Sequence, residues 1–398
     1  MRRIFSKTVI TLSLVSYFTD IASEMLYPVM PIYLKSIGFT ALLIGILEGV
    51  AEATAGLSKG YFGELSDRLG KRVIFIRWGY LLSALSKPAM AISKWPIWIF
   101  VARTTDRIGK GLRTSARDAL LSDESTPETR GKVFGFHRGM DTLGAAVGPA
   151  IALLLLWLFP GDYSIIFLIT IIPGLAAVLL TLLLKEKNRS QGTAKPQNGA
   201  SPFSFFGYWR QSPVNYRHIV VGLIFFTLIN SSDAFLLLKV KVEGASDTLV
   251  IGLYIFYNLA YALLSYPMGW LSDKLGMKRM VIFGIAIFAI TYLGFALVSK
   301  WSVFILLFGL YSLYAASTEG VLKAWLANNL PKTKTATGIG LYNSLQSIAT
   351  LLASSLAGLI WVMAGSGIVF MISAVGATLA GIYLYIFTRT SVTYQGSE

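Results

Sequence analysis

A short basic segment occurs twice in this chain, and the two copies lie 206 positions apart. Residues 63–72 read GELSDRLGKR and residues 269–279 read GWLSDKLGMKR, and long apolar runs flank each copy. Arg117 and Lys323 keep the same offset in another part of the chain. A repeat that extends over so much of a sequence predicts two homologous halves. In membrane proteins such halves commonly build a path that opens alternately to each side.

The composition places both halves in a lipid bilayer. Hydrophobic residues make up 55% of the chain, charged residues make up 14%, and the mean hydropathy is +0.63. We predict an all-α membrane protein with twelve transmembrane helices in two six-helix bundles, because twelve runs reach the roughly 20 residues that span the hydrocarbon. The predicted helices are 8–34, 41–63, 73–93, 96–120, 132–158, 163–184, 218–238, 248–271, 280–298, 301–326, 336–363 and 367–388. The predicted domains are an N-terminal bundle 1–186, a cytoplasmic linker 187–216 and a C-terminal bundle 217–398.

The distribution of positive charge predicts the orientation. Lys and Arg near helix ends stay on the cytoplasmic side, and most cations of this chain lie in the predicted inner segments. The predicted outer loops hold six: Lys35, Lys87, Lys94, Lys239, Lys241 and Lys300. Both termini are therefore predicted to be cytoplasmic, in a bacterial inner membrane. The net charge of +15 is then a topology signal, and it implies anionic membrane lipids rather than nucleic acid as partners.

The residues that support enzymatic chemistry are scarce. The chain has no cysteine and two histidines without ligand-spaced partners, so we predict no disulfide, no metal and no cofactor. No nucleophile, base and orienting group occur together, and no nucleotide loop is present. We therefore predict that the chain is not an enzyme.

The repeated segment resembles the signature of the major facilitator superfamily, G-x-x-x-D-R-x-G-R/K-R/K. The matching residues are Gly63, Asp67, Arg68, Gly70, Lys71 and Arg72. This resemblance implies a monomeric transporter that works by alternating access, with these residues forming a gate. In the implied gate Lys71 or Arg72 exchanges partners with an acid of helix 4, for which Asp118 is the counterpart. The second copy keeps Asp273 but has Met277 in place of Lys71.

Helix 5 carries a second resemblance. Gly144, Gly148 and Pro149 match the core of a motif found in drug/proton antiporters of the same superfamily, although Ala152 and Leu153 replace its closing glycines. The resemblance implies export by antiport. Small residues at this spacing also permit close helix packing, so both interpretations stay open.

Helix 4 is the most unusual predicted span. Seven charged residues recur at intervals of three and four and share one face: Arg103, Asp106, Arg107, Lys110, Arg113, Arg117 and Asp118. Ionised groups at bilayer depth must meet water or opposite charges. We predict that Arg103, Arg107 and Lys110 bind the solute.

Acids on other helices complement this face. Asp20 and Glu24 lie one turn apart on helix 1, and adjacent carboxylates resist double ionisation, so one of them can hold a proton. The predicted proton-coupling residues are Asp20, Glu24, Glu48, Glu52 and Asp141. The alternative is that these acids only neutralise helix 4.

Further polar and aromatic residues recur on single helix faces, as a solute with an apolar body and polar edges requires. The remaining predicted binding residues are Tyr27, Arg138, Asn230, Asp233, Tyr254, Tyr257, Asn258, Tyr261, Glu319, Lys323, Asn343 and Gln346. Tyrosine stripes also occur as simple helix packing. We predict a proton-coupled secondary transporter that exports a small organic solute by antiport. The alternatives are symport uptake of an anionic solute, such as a carboxylate or siderophore, and a membrane receptor that does not transport.

Overall fold

A computed structural model describes residues 5–186, 203–231 and 233–389, and the regular structure within these ranges is entirely helical. Most of the predicted linker, 187–202, lies outside the described residues. The helices are α1 (Lys7–Glu24), α2 (Met30–Ser36), α3 (Ala41–Leu69), α4 (Val73–Ala89), α5 (Pro96–Asp123), α6 (Arg130–Leu158), α7 (Tyr163–Ile169), α8 (Ile171–Thr181), α9 (Tyr208–Gln211), α10 (Val214–Ile229), α11 (Asp233–Val242), α12 (Asp247–Leu275), α13 (Met277–Leu297), α14 (Trp301–Asn328), α15 (Thr335–Ala364) and α16 (Ser366–Phe387). Short 3₁₀ turns occupy Ser204–Gly207 and Lys332–Lys334.

The repeated segments end their helices in comparable ways. The side chains of Thr40 and Ser246 cap the N-termini of α3 and α12 by accepting backbone N–H groups. Gly70 ends α3 in the left-handed conformation, with φ of 64°, which few other residues adopt at low cost. Gly276 ends α12 with φ of 95°. The two turns that carry the repeat are therefore built on glycine in both halves.

Three of the predicted spans are broken. The first divides into α1 and α2, which are separated by Met25–Val29, and the seventh divides into α10 and α11 after Ile229. The sixth divides into α7 and α8 at Thr170. The breaks in the first and seventh spans fall at nearly equivalent places in the two halves. Broken helices at membrane depth commonly border a cavity, because the freed backbone groups need partners.

Eight helical stretches among the described residues are long and apolar enough to cross a bilayer. They are Arg130–Leu158, Tyr163–Thr181, Val214–Val242, Leu249–Leu275, Met277–Leu297, Ser302–Asn328, Lys332–Ala364 and Ser366–Phe387. The all-α architecture is confirmed. The full count of twelve spans stays a prediction for the first four, since the break after α1 and the charges on α5 lower their apolar character.

The described helices group into two compact units. Unit 1 comprises Met1–Glu124, Met140–Gln211 and Pro331–Ser344. Unit 2 comprises Ser125–Gly139, Ser212–Leu330 and Leu345–Glu398. Each unit therefore includes one short segment from the other half of the sequence, taken from the beginning of α6 or of α15. The domain boundaries predicted from the sequence stay a prediction.

Glycines allow these borrowed segments to pack closely. In unit 1, a Cβ at Gly63 of α3 would collide with the carbonyl oxygen of Ala336 at the start of α15. In unit 2, a Cβ at Gly269 of α12 would collide with the carbonyl oxygen of Gly131 at the start of α6. Both glycines belong to the repeated segment. The repeat therefore specifies a helix crossing as well as a turn.

Large apolar side chains cover much of the outer surface. Trp157 is 76% exposed and Val362 is 86% exposed, and leucines of α8, α15 and α16 are similarly accessible. Exposed apolar patches of this size are unfavourable in water and natural in a bilayer. Inside unit 1 an apolar cluster around Tyr33 and Phe167 packs α1, α2, α3 and α5 together with α6 and α7.

Candidate functional site

Unit 1 encloses a strongly charged cavity of about 540 Å³. Residues of α1, α3 and α5, together with the break after α1, form its wall. Its polar lining consists of Asp20, Ser23, Glu24, Tyr27, Glu48, Glu52, Arg103, Asp106, Arg107, Lys110 and Arg113. Five of the seven charged residues predicted on helix 4 therefore border a cavity, together with all four acids predicted on helices 1 and 2.

Two ion pairs join α5 to α3 across this cavity. Arg103 Nε and Nη2 donate to Glu48 Oε1 and Oε2 at 3.0 and 2.7 Å. One turn further along both helices, Arg107 Nη1 lies 3.1 Å from Glu52 Oε1. The predicted solute-binding arginines and two predicted proton-coupling acids are thus partners of one another. This arrangement matches the alternative that Glu48 and Glu52 neutralise helix 4.

Asp106 is surrounded by cations. Its Oδ1 lies 2.9 Å from Lys87 Nζ and accepts a hydrogen bond of 2.5 Å from Ser83 Oγ. Its Oδ2 lies 3.7 Å from both Arg103 and Arg107. Lys87, which the sequence places in an outer loop, is instead buried in the last turn of α4, and that prediction is wrong. Its position is explained by Asp106, whose carboxylate would otherwise be buried with less compensation.

Lys110 differs from Arg103 and Arg107 in its partners. Its side chain is exposed to the cavity, and within the described part of the chain its ammonium makes no ion pair shorter than 4 Å. Asp20 and Glu52 are the acids that interact with it over a longer range. Arg113 lies deeper, with its guanidinium 4.6 Å from the centre of the Tyr80 ring.

Asp20 of α1, which lines the cavity, lies beside a second carboxyl group. This is Asp141 of α6, which is close enough to interact with it. Ser16 Oγ donates to Asp141 Oδ1 at 2.5 Å, and Arg117 Nη1 donates to Ser16 Oγ at 3.1 Å. Adjacent carboxyl groups disfavour double ionisation. Glu24 lies beside this pair and interacts electrostatically with Asp20.

The repeated acid Asp67 binds the beginning of α15 within unit 1. Its Oδ2 accepts hydrogen bonds of 2.6 Å from both the backbone N–H and the hydroxyl of Thr337. Its Oδ1 lies 2.5 Å from Arg72 Nη2, and all of these groups are buried. A carboxylate at a helix N-terminus satisfies backbone donors that otherwise have no partner.

The predicted gate partner Asp118 lies deeper along α5 than Asp123, which lies near Arg72, and its gating role stays a prediction. Asp118 pairs with its neighbour Arg117 at 3.1 Å. The α5 acid nearest to Arg72 is Asp123, whose Oδ2 lies 3.7 Å from Arg72 Nε. The reason is axial position: Asp123 is the last residue of α5, level with the turn before α4, whereas Asp118 lies more than one turn deeper.

Asp273 makes the equivalent contact in unit 2. Its Oδ1 and Oδ2 accept hydrogen bonds from the backbone N–H groups of Gly131 and Lys132 at 2.8 and 3.0 Å. Gly131 and Thr337 are separated by the same 206 positions as Asp67 and Asp273. The sequence analysis missed Thr337, Gly131 and Lys132, although this common offset could have identified them.

Unit 2 contains a second group of polar side chains, which lies among aromatic rings. Arg138 Nε donates to the Tyr261 hydroxyl at 2.6 Å, and Arg138 Nη2 lies 3.7 Å from Glu319 Oε2. The Tyr311 hydroxyl donates to Asp233 Oδ1 at 2.6 Å. Tyr257 packs against both Tyr261 and Tyr311.

Three tyrosines of this group were missed by the sequence analysis. Tyr292, Tyr311 and Tyr314 are buried, and Asn230 bonds both Tyr292 and Tyr314 at 3.3 Å. Their only sequence signal is spacing along α13 and α14, which packing also explains. These buried rings contact one another, so the packing interpretation of the tyrosines has direct support here.

Other predicted binding residues lie on α12, α14 and α15. Asn258 donates to the Tyr254 carbonyl at 2.9 Å within its own helix. Asn343 is buried in the α15 segment that belongs to unit 1, whereas Gln346, three residues later, belongs to unit 2. Lys323 lies in unit 2 with Glu319, on α14.

The helix 5 motif forms the contact between α6 and α1. A Cβ at Gly144 would collide with the Tyr17 carbonyl oxygen, and one at Gly148 would lie 2.8 Å from the Ile21 carbonyl oxygen. Pro149 follows inside the same helix. The glycines therefore have a clear packing role, and they hold Asp141 of α6 close to Asp20 of α1.

A helical membrane protein with repeated halves, helix-end carboxylates and a charged internal cavity has the architecture of a membrane transport protein. The sequence matches the family model of the Major Facilitator Superfamily over residues 12–256 and again over residues 242–397. The chain therefore belongs to this transporter family, and the resemblance seen in the repeated segment is confirmed, together with its two repeats.

Known relatives agree with this assignment. An uncharacterised MFS-type transporter of Methanocaldococcus jannaschii is 32% identical over 388 residues, 96% of this chain and 95% of that protein. Citrate exporter 1 of Aspergillus niger is 26% identical over 196 residues, 48% of this chain and 37% of the exporter. The crystal structure of the human organic anion transporter MFSD10 superposes with a TM-score of 0.79 at 18% identity, covering 95% of this chain and 98% of that one.

Proposed function

We propose that this transporter is proton-coupled and exports a small organic solute by antiport. The observation that carries the proposal is the adjacent carboxyl groups of Asp20 and Asp141 beside the charged cavity. Such a pair holds one proton more readily than none, and it lies next to a space large enough for a small organic molecule. Proton binding and solute binding are therefore coupled over a short distance.

In the coupling step, the ionised carboxyl pair and the solute compete for the ammonium group of Lys110. When the carboxyl pair holds its proton, Lys110 interacts mainly with Glu52 and the cavity can bind solute. When the proton leaves, Asp20 gains a full negative charge and attracts Lys110 more strongly. Solute groups bonded to Lys110 or Glu24 then change the affinity of the pair for its proton. The proton and the solute thus favour different states of the same site, which antiport requires.

The export direction has two supports. The α6 motif of Gly144, Gly148 and Pro149 resembles that of drug/proton antiporters and brings Asp141 against α1. A relative that matches about half of this chain is named a citrate exporter. We further propose that the chain acts as a monomer in a bacterial inner membrane with both termini in the cytoplasm, as the distribution of cations predicts.

The symport alternative has weaker support from the geometry. Uptake of an anionic solute needs cations that are free to bind carboxylates, and Arg103 and Arg107 are engaged by Glu48 and Glu52. Lys110 and Arg113 remain available in the cavity. A carboxylate solute would have to bind these two or displace a glutamate, at the cost of a partly buried ion pair.

Proton flux in vesicles tests the proposal. The purified chain is reconstituted with an internal pH-sensitive dye, a pH gradient is imposed, and organic cations and carboxylates are added one by one. A solute that dissipates the gradient while it moves in the opposite direction establishes antiport. Inward proton movement that requires an external carboxylate establishes symport and contradicts the export proposal.

Two controls complete this experiment. Vesicles that contain a sodium gradient but no pH gradient test whether sodium replaces the proton. Asp20→Asn, which removes the titratable group without changing its shape, must abolish solute-dependent proton flux. Tight solute binding without flux of either species would instead indicate a receptor.

A further inference from the structure

A second cavity lies at the surface of unit 1, between α4 and the end of α8. It has a volume of about 560 Å³. Its lining includes the side chains of Lys71, Ile74, Arg77, Trp78 and Leu182. We refer to this cavity as the α4–α8 groove. It is distinct from the charged cavity, with which it shares no residue.

One wall of the groove is apolar and accessible from outside. Ile74 is 44% exposed, Trp78 is 56% exposed and Leu182 is 59% exposed. In a membrane transporter, such a wall borders lipid chains. Tryptophan is also the side chain that favours the boundary between headgroups and hydrocarbon.

The other end of the groove is cationic. Lys71 lies two residues before α4, and its exposed ammonium makes no ion pair with any residue the structure describes. Arg77 donates through Nε and Nη2 to the carbonyls of Thr181, Leu182 and Leu184 at 3.3, 3.3 and 2.8 Å. These bonds fix the guanidinium beside the groove, and its Nη1 takes part in none of them.

The acid that also lines the groove is already engaged. Glu186 Oε1 and Oε2 accept hydrogen bonds of 2.8 Å from the backbone N–H groups of Arg72 and Val73. Its carboxylate therefore stabilises the N-terminus of α4. The net field at the cationic end remains positive, since Lys71 and Arg77 outnumber it.

We propose that the α4–α8 groove binds one anionic phospholipid. The headgroup phosphate bonds to Lys71 and Arg77, and an acyl chain lies along Ile74, Trp78 and Leu182. Charge complementarity selects the anionic headgroup, because the cationic end is where the positive-inside distribution places the inner leaflet. The apolar wall selects a lipid over a free phosphate compound, which would leave that wall uncovered.

The repeat supplies an internal comparison. At the positions 206 residues further on, the second half carries Met277 in place of Lys71 and Phe283 in place of Arg77. Lys278, the residue after Met277, donates to the carbonyls of Tyr385 and Thr388 at 2.9 and 2.5 Å. The arrangement of Lys71 beside Arg77 is therefore particular to the first half.

Native mass spectrometry of the full chain in detergent tests this site. Phosphatidylglycerol and phosphatidylcholine with identical acyl chains are titrated in parallel. We expect one phosphatidylglycerol to bind more tightly than phosphatidylcholine, and Lys71→Gln to lower this preference about fivefold, since each basic residue near an anionic surface contributes about that factor. Lys274→Gln, which removes a cation that lies over the Trp270 ring, is the matched control and should keep the preference.

Two further results would overturn the proposal. Equal binding of the two lipids by the unmodified chain would exclude headgroup recognition. Displacement of phosphatidylglycerol by millimolar glycerol phosphate would show a phosphate site without a lipid chain.

Fluorescence quenching by brominated phosphatidylglycerol locates the acyl chain of the lipid. The quenched fraction of the tryptophan fluorescence should fall in Trp78→Phe and be unchanged in Trp98→Phe. Among the described residues the Lys71 side chain makes no hydrogen bond or ion pair, so Lys71→Gln tests the headgroup contact without disturbing the bonds of Arg77.

Discussion

At the scale of single residues, Asp67 combines three interactions in one buried carboxylate. It accepts from the backbone and the hydroxyl of Thr337 and pairs with Arg72 at 2.5 Å. Asp67→Asn keeps the shape and removes the charge. Because hydrogen bonds to charged groups contribute roughly 1.5–3 kcal/mol, we expect transport to fall about tenfold or more.

The measurement is solute flux in vesicles, with expression and elution profile recorded for each variant. Asp123→Asn is the matched control, since its carboxylate lies 3.7 Å from Arg72 and is more exposed. We expect this control to retain most of its flux. Unchanged flux in Asp67→Asn would remove the residue from the gate.

The carboxyl pair leads to a second prediction. Asp20→Asn cannot release a proton, so flux should become independent of pH between about 5 and 8, whereas the unmodified chain should depend on it. Glu24→Gln is the comparison, because Glu24 lines the same cavity without belonging to the pair. pH-dependent flux in Asp20→Asn together with its loss in Glu24→Gln would assign the proton to Glu24.

The candidate residues could be predicted only in part. Periodicity identified the charged face of helix 4 and the acids of helices 1 and 2, because a one-dimensional pattern reports which residues share a face. It could not report that Arg103 meets Glu48 or that Lys87 meets Asp106, since these contacts depend on the axial register of neighbouring helices. The contact of Arg72 with Asp123 depends on the same axial register, and the gating role of Asp118 stays a prediction.

At the scale of helices, the crossing of α6 over α1 determines the distance between Asp141 and Asp20. A Cβ at Gly148 would lie 2.8 Å from the Ile21 carbonyl oxygen and 2.9 Å from the Met25 amide nitrogen, and both are backbone atoms that cannot rotate away. Gly148→Ala must therefore separate the helices.

We expect Gly148→Ala to lower thermal stability at a cost of about 1–3 kcal/mol and to weaken proton coupling. Gly49→Ala in α3 is the control, because nothing lies within 4 Å of its added Cβ. Alanine is favoured over glycine in a helix, so the control should be neutral or slightly stabilised. The two variants are compared by fluorescence-detected thermal unfolding in detergent. Equal melting temperatures would mean that the α1–α6 contact is loose.

At the scale of the whole chain, the repeat carries more information than any single motif. The offset of 206 positions relates Asp67 to Asp273, and also the helix N-termini that these acids bind, at Thr337 and Gly131. The family, the helical architecture and the two repeats could thus be predicted from the sequence. The exchange of short α6 and α15 segments between the compact units could not, because a repeat does not specify which copy of an element packs with which.

The remaining question at this scale is whether α5 crosses the membrane, since its charged face keeps it out of the eight apolar spans. Its 28 residues extend about 42 Å, enough for hydrocarbon of about 30 Å. The chain has no cysteine, so a single introduced cysteine is the one thiol that a maleimide can label. We expect an impermeable maleimide to label Lys94→Cys, before α5, in intact cells, and Glu128→Cys, after it, only in inverted vesicles. Labelling of both from one side would mean that α5 does not cross, and labelling with the sides exchanged would reverse the orientation that the loop cations predict.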